Sequence, residues 1–134
     1  MTGDDLAAAA CALAGTPFRL HGRTEASGLD CVGVLAAALA RLGRPAPLPT
    51  GYPLRHRNAP DLSALAKSLG LMPAGGGIAR GDVLMLRPAS CQLHLAIAAD
   101  PGTVVHAHAG LGKVVIGPLP ADWPLIGHWR FSTQ

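Results

Sequence analysis

Aromatic residues are scarce in this chain of 134: two tryptophans, one tyrosine and two phenylalanines. A surface that stacks single-stranded bases needs more rings than that. Clusters of basic charge are missing too. The arginines are dispersed, no block of five or more basic residues occurs, and the net charge is only +3. A mildly basic surface can approach a polyanion such as a bacterial wall, but there is no nucleic-acid motif, and nucleic acid is not an expected partner. The three cysteines, at 11, 31 and 91, cannot all pair and match no disulfide framework, so a reducing cytosol is the expected home of the folded chain. Long apolar runs are absent as well. The longest, around residues 31–40, is too short to span a bilayer. The opening "MTGDDLAAAACALAGTPF" carries two acids where a secretory signal would carry positive charge, so synthesis in the cytoplasm without a signal peptide is expected. Charged residues make up 14% against 49% apolar, which excludes a disordered chain.

What is present reads as a single domain over 1–134, long enough to build a hydrophobic core. Residues 4–14 are alanine-rich with Asp4 or Asp5 as cap and Gly15 and Pro17 as a stop, which predicts a helix. Residues 15–30 form a glycine-punctuated loop. Val34, Leu35, Ala38, Leu39 and Leu42 recur at helical spacing and predict a second helix over 31–42, ended by Gly43. Five prolines make 44–60 an irregular connection, and a short third helix is predicted over 61–69 with Asp61 as its cap. After Gly81 the pattern changes. "DVLMLR", "LHLAIAA", "TVVHAHA", "KVVIG" and "IGHWRF" are short apolar or alternating runs divided by turns, so five strands follow the helices. Helices first and strands second, without βα alternation, imply an α+β fold with N-terminal helices packed on a C-terminal, mainly antiparallel sheet.

Cys31 heads the second predicted helix. Unpaired N–H groups and the positive dipole end at that place favour a thiolate, and they can stabilise an oxyanion. A base is also needed, and a group to orient it. His94 alternates onto one strand face with Gln92, Ala96 and Ala98, a small-residue face suited to a closely packed helix. His106 and His108 share a face of the next strand, and alternation leaves open which of them orients His94. Taken singly, each histidine reads as a packing residue, but three on neighbouring strands together with a helix-capping cysteine point to a thiol site. A zinc site of Cys91, His94, His106 and His108 is the competing arrangement, although positions 91 and 94 would project to opposite faces of one strand.

These pieces, "GTPFRLHGR" at 15–23, "GLDCVG" at 28–33, "RGDVLML" at 80–86, "HLAI" at 94–97 and "VVHAHA" at 104–109, resemble in order the motifs of the NlpC-type cell-wall peptidases, small papain-like cysteine hydrolases. Their wording is most similar to the peptidases of phage tails and gene transfer agents. The resemblance implies a papain-like NlpC-type fold with Cys31 as nucleophile, His94 as base and His106 as orienting residue. It implies Asp30 as an acid that helps bind the free amine of a peptidoglycan stem peptide. Phe18 stands where relatives carry a loop tyrosine, and Val32 where they carry a serine. Phe18, Asp30 and Val32 are therefore expected substrate-binding positions, and Arg23 joins them because it sits, with His21, in the loop before Cys31, where both are expected to line the cleft. The expected reaction is hydrolysis of a γ-D-glutamyl-type amide bond, with no metal or organic cofactor. Phage-like tail-tip or hub proteins are the expected partners, and the particle is the expected destination. A drifted wall-binding tail module and an acyltransferase of the same fold are the alternatives beside the zinc hydrolase. Cys11, Trp123, Trp129 and Phe131 are read as packing residues, Asp82 as shaping the start of a strand, and His56 and His128 as surface or packing residues.

Overall fold

The computed structural model describes residues 2–44, 63–89 and 92–131. The first helix, α1 (Gly3–Cys11), is capped by Thr2 and not by either aspartate. The Thr2 side chain accepts from the Asp5 N–H, and the Asp5 carboxylate accepts from the Thr2 N–H, a reciprocal box that satisfies two otherwise unpaired donors. The helix stops three residues earlier than expected, in a turn that reaches Gly15 at φ +90°.

The loop that follows is more ordered than its glycines suggest. Gly15 N–H donates to the Val114 carbonyl and Val114 N–H to that of Thr16, both at 2.8 Å. Further on, β1 (Arg23–Thr24) and β2 (Gly28–Leu29) form a two-stranded ribbon. It leads directly into α2 (Cys31–Arg41), whose residues 31–39 are all buried. An all-apolar helix must be enclosed, and this one is the central helix of the core. Asp30 caps it, accepting the Gly33 N–H at 2.8 Å.

A short α3 (Ser63–Ser68) follows, and the expected Asp61 cap and the 44–60 connection lie largely outside the described residues. The sheet has six antiparallel strands in the order β3 (Leu71–Pro73), β8 (Leu125–Phe131), β4 (Val83–Ala89), β5 (Gln92–Asp100), β6 (Thr103–His108) and β7 (Lys113–Pro118). Strand β3 was not expected. It has three residues, one of them proline, and it exists by pairing with β8.

Alternation gives the sheet two covered faces. Val83, Met85, Leu93, Leu95, Ile97 and Val105 join α1 and α2 in the main core. Leu84, Leu86, Ala96, Ala98 and Val104 form a smaller cluster on the other side, closed by Ile78, Leu119 and Trp123. The helices thus pack on the large-residue face of β5, and not on the small-residue face that carries His94. Small residues on the His94 face make room for side chains from the 119–124 segment instead. No helix among the described residues is long and apolar enough to cross a membrane.

Candidate active site

A cavity of about 490 Å³ opens where β5 begins and β6 ends, next to the start of α2. It wraps around the strand ends, so it is lined from both faces of the sheet: Leu93 and Ala107 from the helix side, His94, His106 and His108 from the other. Cys31 and Asp30 line it from α2, and Phe18 and Leu20 from the loop before it.

The two leading histidines are bonded. His94 Nε2 lies 2.7 Å from His106 Nδ1, with the rings near perpendicular and 4.9 Å apart. His108 makes a different contact: its Nδ1 accepts the Leu111 N–H at 3.0 Å, closing the turn after β6. The choice that alternation left open is thereby given a geometry, because one nitrogen of His94 meets one imidazole. With Nε2 engaged by His106, Nδ1 is the nitrogen that remains for a thiol proton.

Electrostatics correct one expectation. Burial pushes the Cys31 thiol up to about 11; the backbone of Leu95 and Val32 and the charge of Arg23 pull it down, and Asp30 raises it. Removal of the sulfur from water, with a carboxylate beside it, outweighs the helix start, so the resting thiol is protonated and not lowered as position alone suggested. Burial, with the neighbouring His106 and His108, brings His94 down to about 4. Burial and His108 also lower His106. Near neutral pH the pair rests as thiol and neutral imidazole.

The expected substrate-binding residues separate into two groups. Phe18 lines the cavity, its N–H donating to the Gly112 carbonyl at 2.8 Å, and Asp30 lines it as well. Val32 is only 5% exposed and belongs to the main core, because the second residue of a buried helix points into the protein. Arg23 is absent from the lining and is paired to Asp30, Nη1 donating to Oδ1 at 2.7 Å. Cys91 of the zinc alternative lies outside the described residues, and among these no three His, Cys, Asp or Glu side chains are placed to share a metal ion.

No family model and no curated protein sequence matches the chain. Solved structures do. The NlpC/p60 domain of the peptidoglycan hydrolase SagA superposes with a TM-score of 0.65 at 22% identity, covering 99% of this chain and 100% of that one. The chain has the NlpC/p60 fold. NlpC1 from Trichomonas vaginalis gives 0.64 at 19% identity over 95% of this chain, and the peptidoglycan hydrolase RipB from Mycobacterium tuberculosis gives 0.58 at 19% over 96%. The chain spans less than half of two Trichomonas vaginalis relatives, 44% of NlpC1 and 47% of NlpC2, and 63% of RipB.

Within this NlpC/p60 fold, one site residue escaped the sequence reading. Trp123 packs edge-on against both imidazoles, 5.4 Å from His94 and 6.0 Å from His106. It lies 29 positions after His94 in a proline-flanked turn, and no periodicity links them. The only available signal was a tryptophan in a chain with few rings.

Proposed function

We propose that the protein is a cysteine peptidase or amidase of peptidoglycan stem peptides, acting at a γ-D-glutamyl-type amide bond. The observation that carries the reading is the His94–His106 bond of 2.7 Å in the cavity that Cys31 also lines. The fold shared with SagA and RipB, both peptidoglycan hydrolases, supports the wall as substrate. Association with a phage-like tail belongs to the same proposal and rests on the wording of the loop and nucleophile motifs.

His94 carries its proton on Nε2 and donates to His106 Nδ1, which leaves Nδ1 as the base. As the Cys31 sulfur attacks the amide carbonyl, the thiol proton passes to that nitrogen. The coupling is required because a thiol near 11 and an imidazole near 4 do not exchange a proton at rest. The oxyanion would be met by first-turn N–H groups of α2 other than that of Gly33, which Asp30 already holds. Collapse returns the proton to the leaving amine and leaves an acyl-enzyme. Water, deprotonated by His94, then releases the acid and restores the thiol.

Mass spectrometry of wall fragments digested with the pure protein tests this directly: new free amines and γ-D-glutamyl carboxylates are expected. Intact fragments would favour the second reading, a wall-binding module of the same fold. The observation on its side is the burial of Cys31 and its high thiol pKa.

A further inference from the structure

Asp30 lies in the wall of the cavity, yet its carboxylate is already supplied with donors. Oδ1 accepts the Gly33 N–H at 2.8 Å and Arg23 Nη1 at 2.7 Å, and Oδ2 accepts the His21 N–H at 2.9 Å. The side chain of Asp30 is 2% exposed and that of Arg23 is 16% exposed. The loop is built for this purpose. His21 holds φ +62°, the only left-handed residue other than glycine among the described residues, and that conformation aims its N–H at Oδ2.

Asp30 is also the only carboxylate in the cavity lining among the described residues, and no lysine or arginine lines it. Its negative charge is cancelled by a guanidinium at hydrogen-bond distance, and burial strengthens that pairing. An incoming α-ammonium would give up its hydration for a carboxylate already bonded to a cation, beside that cation. The rest of the lining is apolar or imidazole: Phe18, Leu20, Pro88, Leu93 and Trp123 beside the histidines.

We propose that the Arg23–Asp30 pair makes this a site for peptides without a free α-amino group near the scissile bond. The preferred substrate class is a stem peptide acylated at its N-terminus, as it is while joined to its glycan. Arg23 is then a specificity-determining residue that acts through Asp30. The inference rests on the hydrolase reading above.

The test compares one synthetic stem peptide containing the γ-D-glutamyl bond as its free amine and as its N-acetyl form. Wild-type protein is expected to cleave the acetylated form with a kcat/KM higher by roughly tenfold or more, the cost of about one poorly placed charge. Arg23→Gln uncovers the Asp30 charge and should move the ratio by roughly tenfold towards the free amine, whereas Arg23→Lys should keep the wild-type ratio. If Arg23→Gln fails to fold, the wild-type ratio alone decides. Equal or faster cleavage of the free amine by the wild type overturns the inference and leaves the hydrolase reading intact. Cleavage of neither peptide, with wall fragments also left whole, overturns the hydrolase reading and the inference with it.

Discussion

At the scale of single residues, the site depends on which nitrogen meets which. His106 Nδ1 lies 2.7 Å from His94 Nε2, the place of an orienting partner in the proposed mechanism, while the Nδ1 of His108 is engaged by the Leu111 N–H. Cys31→Ala and His94→Ala should therefore abolish hydrolysis, His106→Ala should lower kcat by roughly a hundredfold or more, and His108→Ala should have a milder effect. His106→Asn should recover part of the loss, since an amide oxygen can accept the imidazole N–H. Steady-state kinetics on folded variants decide it, and a larger loss in His108→Ala would assign the third member elsewhere. Trp123 gives a second prediction. Burial is the main reason that His94 titrates near 4, and Trp123 covers it. Below that pH His94 is an imidazolium and cannot take the thiol proton, so the acid limb of kcat/KM lies near 4 in the wild type. Trp123→Ala should move the limb up towards the ordinary histidine value of about 6.5, and Trp123→Phe should move it less. An unmoved limb in Trp123→Ala would reduce the ring to packing. That Cys31, His94 and His106 meet at one cavity was legible in the sequence, because they sit in short motifs with fixed local structure. The titration of Cys31 was not. It depends on Leu95, a residue 64 positions away, and on enclosure that no local pattern encodes.

Among the elements, α2 shows how a contact can reverse a propensity. Gly33 lies in its first turn, where alanine would ordinarily favour the helix by about 1 kcal/mol. A Cβ there would overlap the Gly22 carbonyl, a backbone atom of the loop that carries Phe18 and Asp30. Backbone cannot step aside as a flexible side chain does, and overpacking of this kind costs about 1–3 kcal/mol. Gly33→Ala should therefore lower the melting temperature and also reduce kcat/KM, because the loop must move and Asp30 and Phe18 move with it. Gly76→Ala is the control: φ there is +76° but nothing lies within 4 Å, so a small stability loss with unchanged kinetics is expected. The helices and the main strands were readable from periodicity and caps. The capping residue of α1 was misread because Thr2 and Asp5 form a box that no single residue announces. The side of the sheet covered by helices was also misread. Small residues on one face of β5 indicate a close neighbour, and they do not say whether a helix or the Trp123 turn supplies it.

At the scale of the whole molecule, a buried charge cluster among the described residues lies away from the cavity and joins distant segments. Asp82, at the start of β4, is fully buried and accepts from Arg130 through both oxygens, at 2.7 and 2.8 Å, and from the Ala79 N–H at 2.8 Å. His128 Nε2 lies 2.6 Å away, so a residue expected at the surface or in packing is a buried partner. Arg80, two residues earlier, bonds Asp4 of α1 and the Ala99 carbonyl of β5, both at 2.8 Å. Burial alone would raise the Asp82 pKa, but the bonds from Arg130, His128 and Ala79 together hold it below 3.8. A carboxyl that binds its proton less readily folded than unfolded contributes stability above the unfolded value, lost as pH falls through the folded one. His94 works in the same direction over a higher window: its folded value is about 4 against 6.5, so the unfolded chain takes up protons first and stability falls between those two values. Acid should therefore weaken the protein in two stages. Urea midpoints at pH 7, 5 and 3 resolve them. His94→Gln should reduce the loss between pH 7 and 5 while leaving the loss below 4. Asp82→Asn should do the reverse, flattening the lowest window at the expense of stability at pH 7, where Arg130 and His128 lose their carboxylate. If Asp82→Asn keeps the wild-type midpoint at pH 7, the Asp82 cluster does not help to hold β4 to β8, and that junction rests on its backbone pairing and apolar packing.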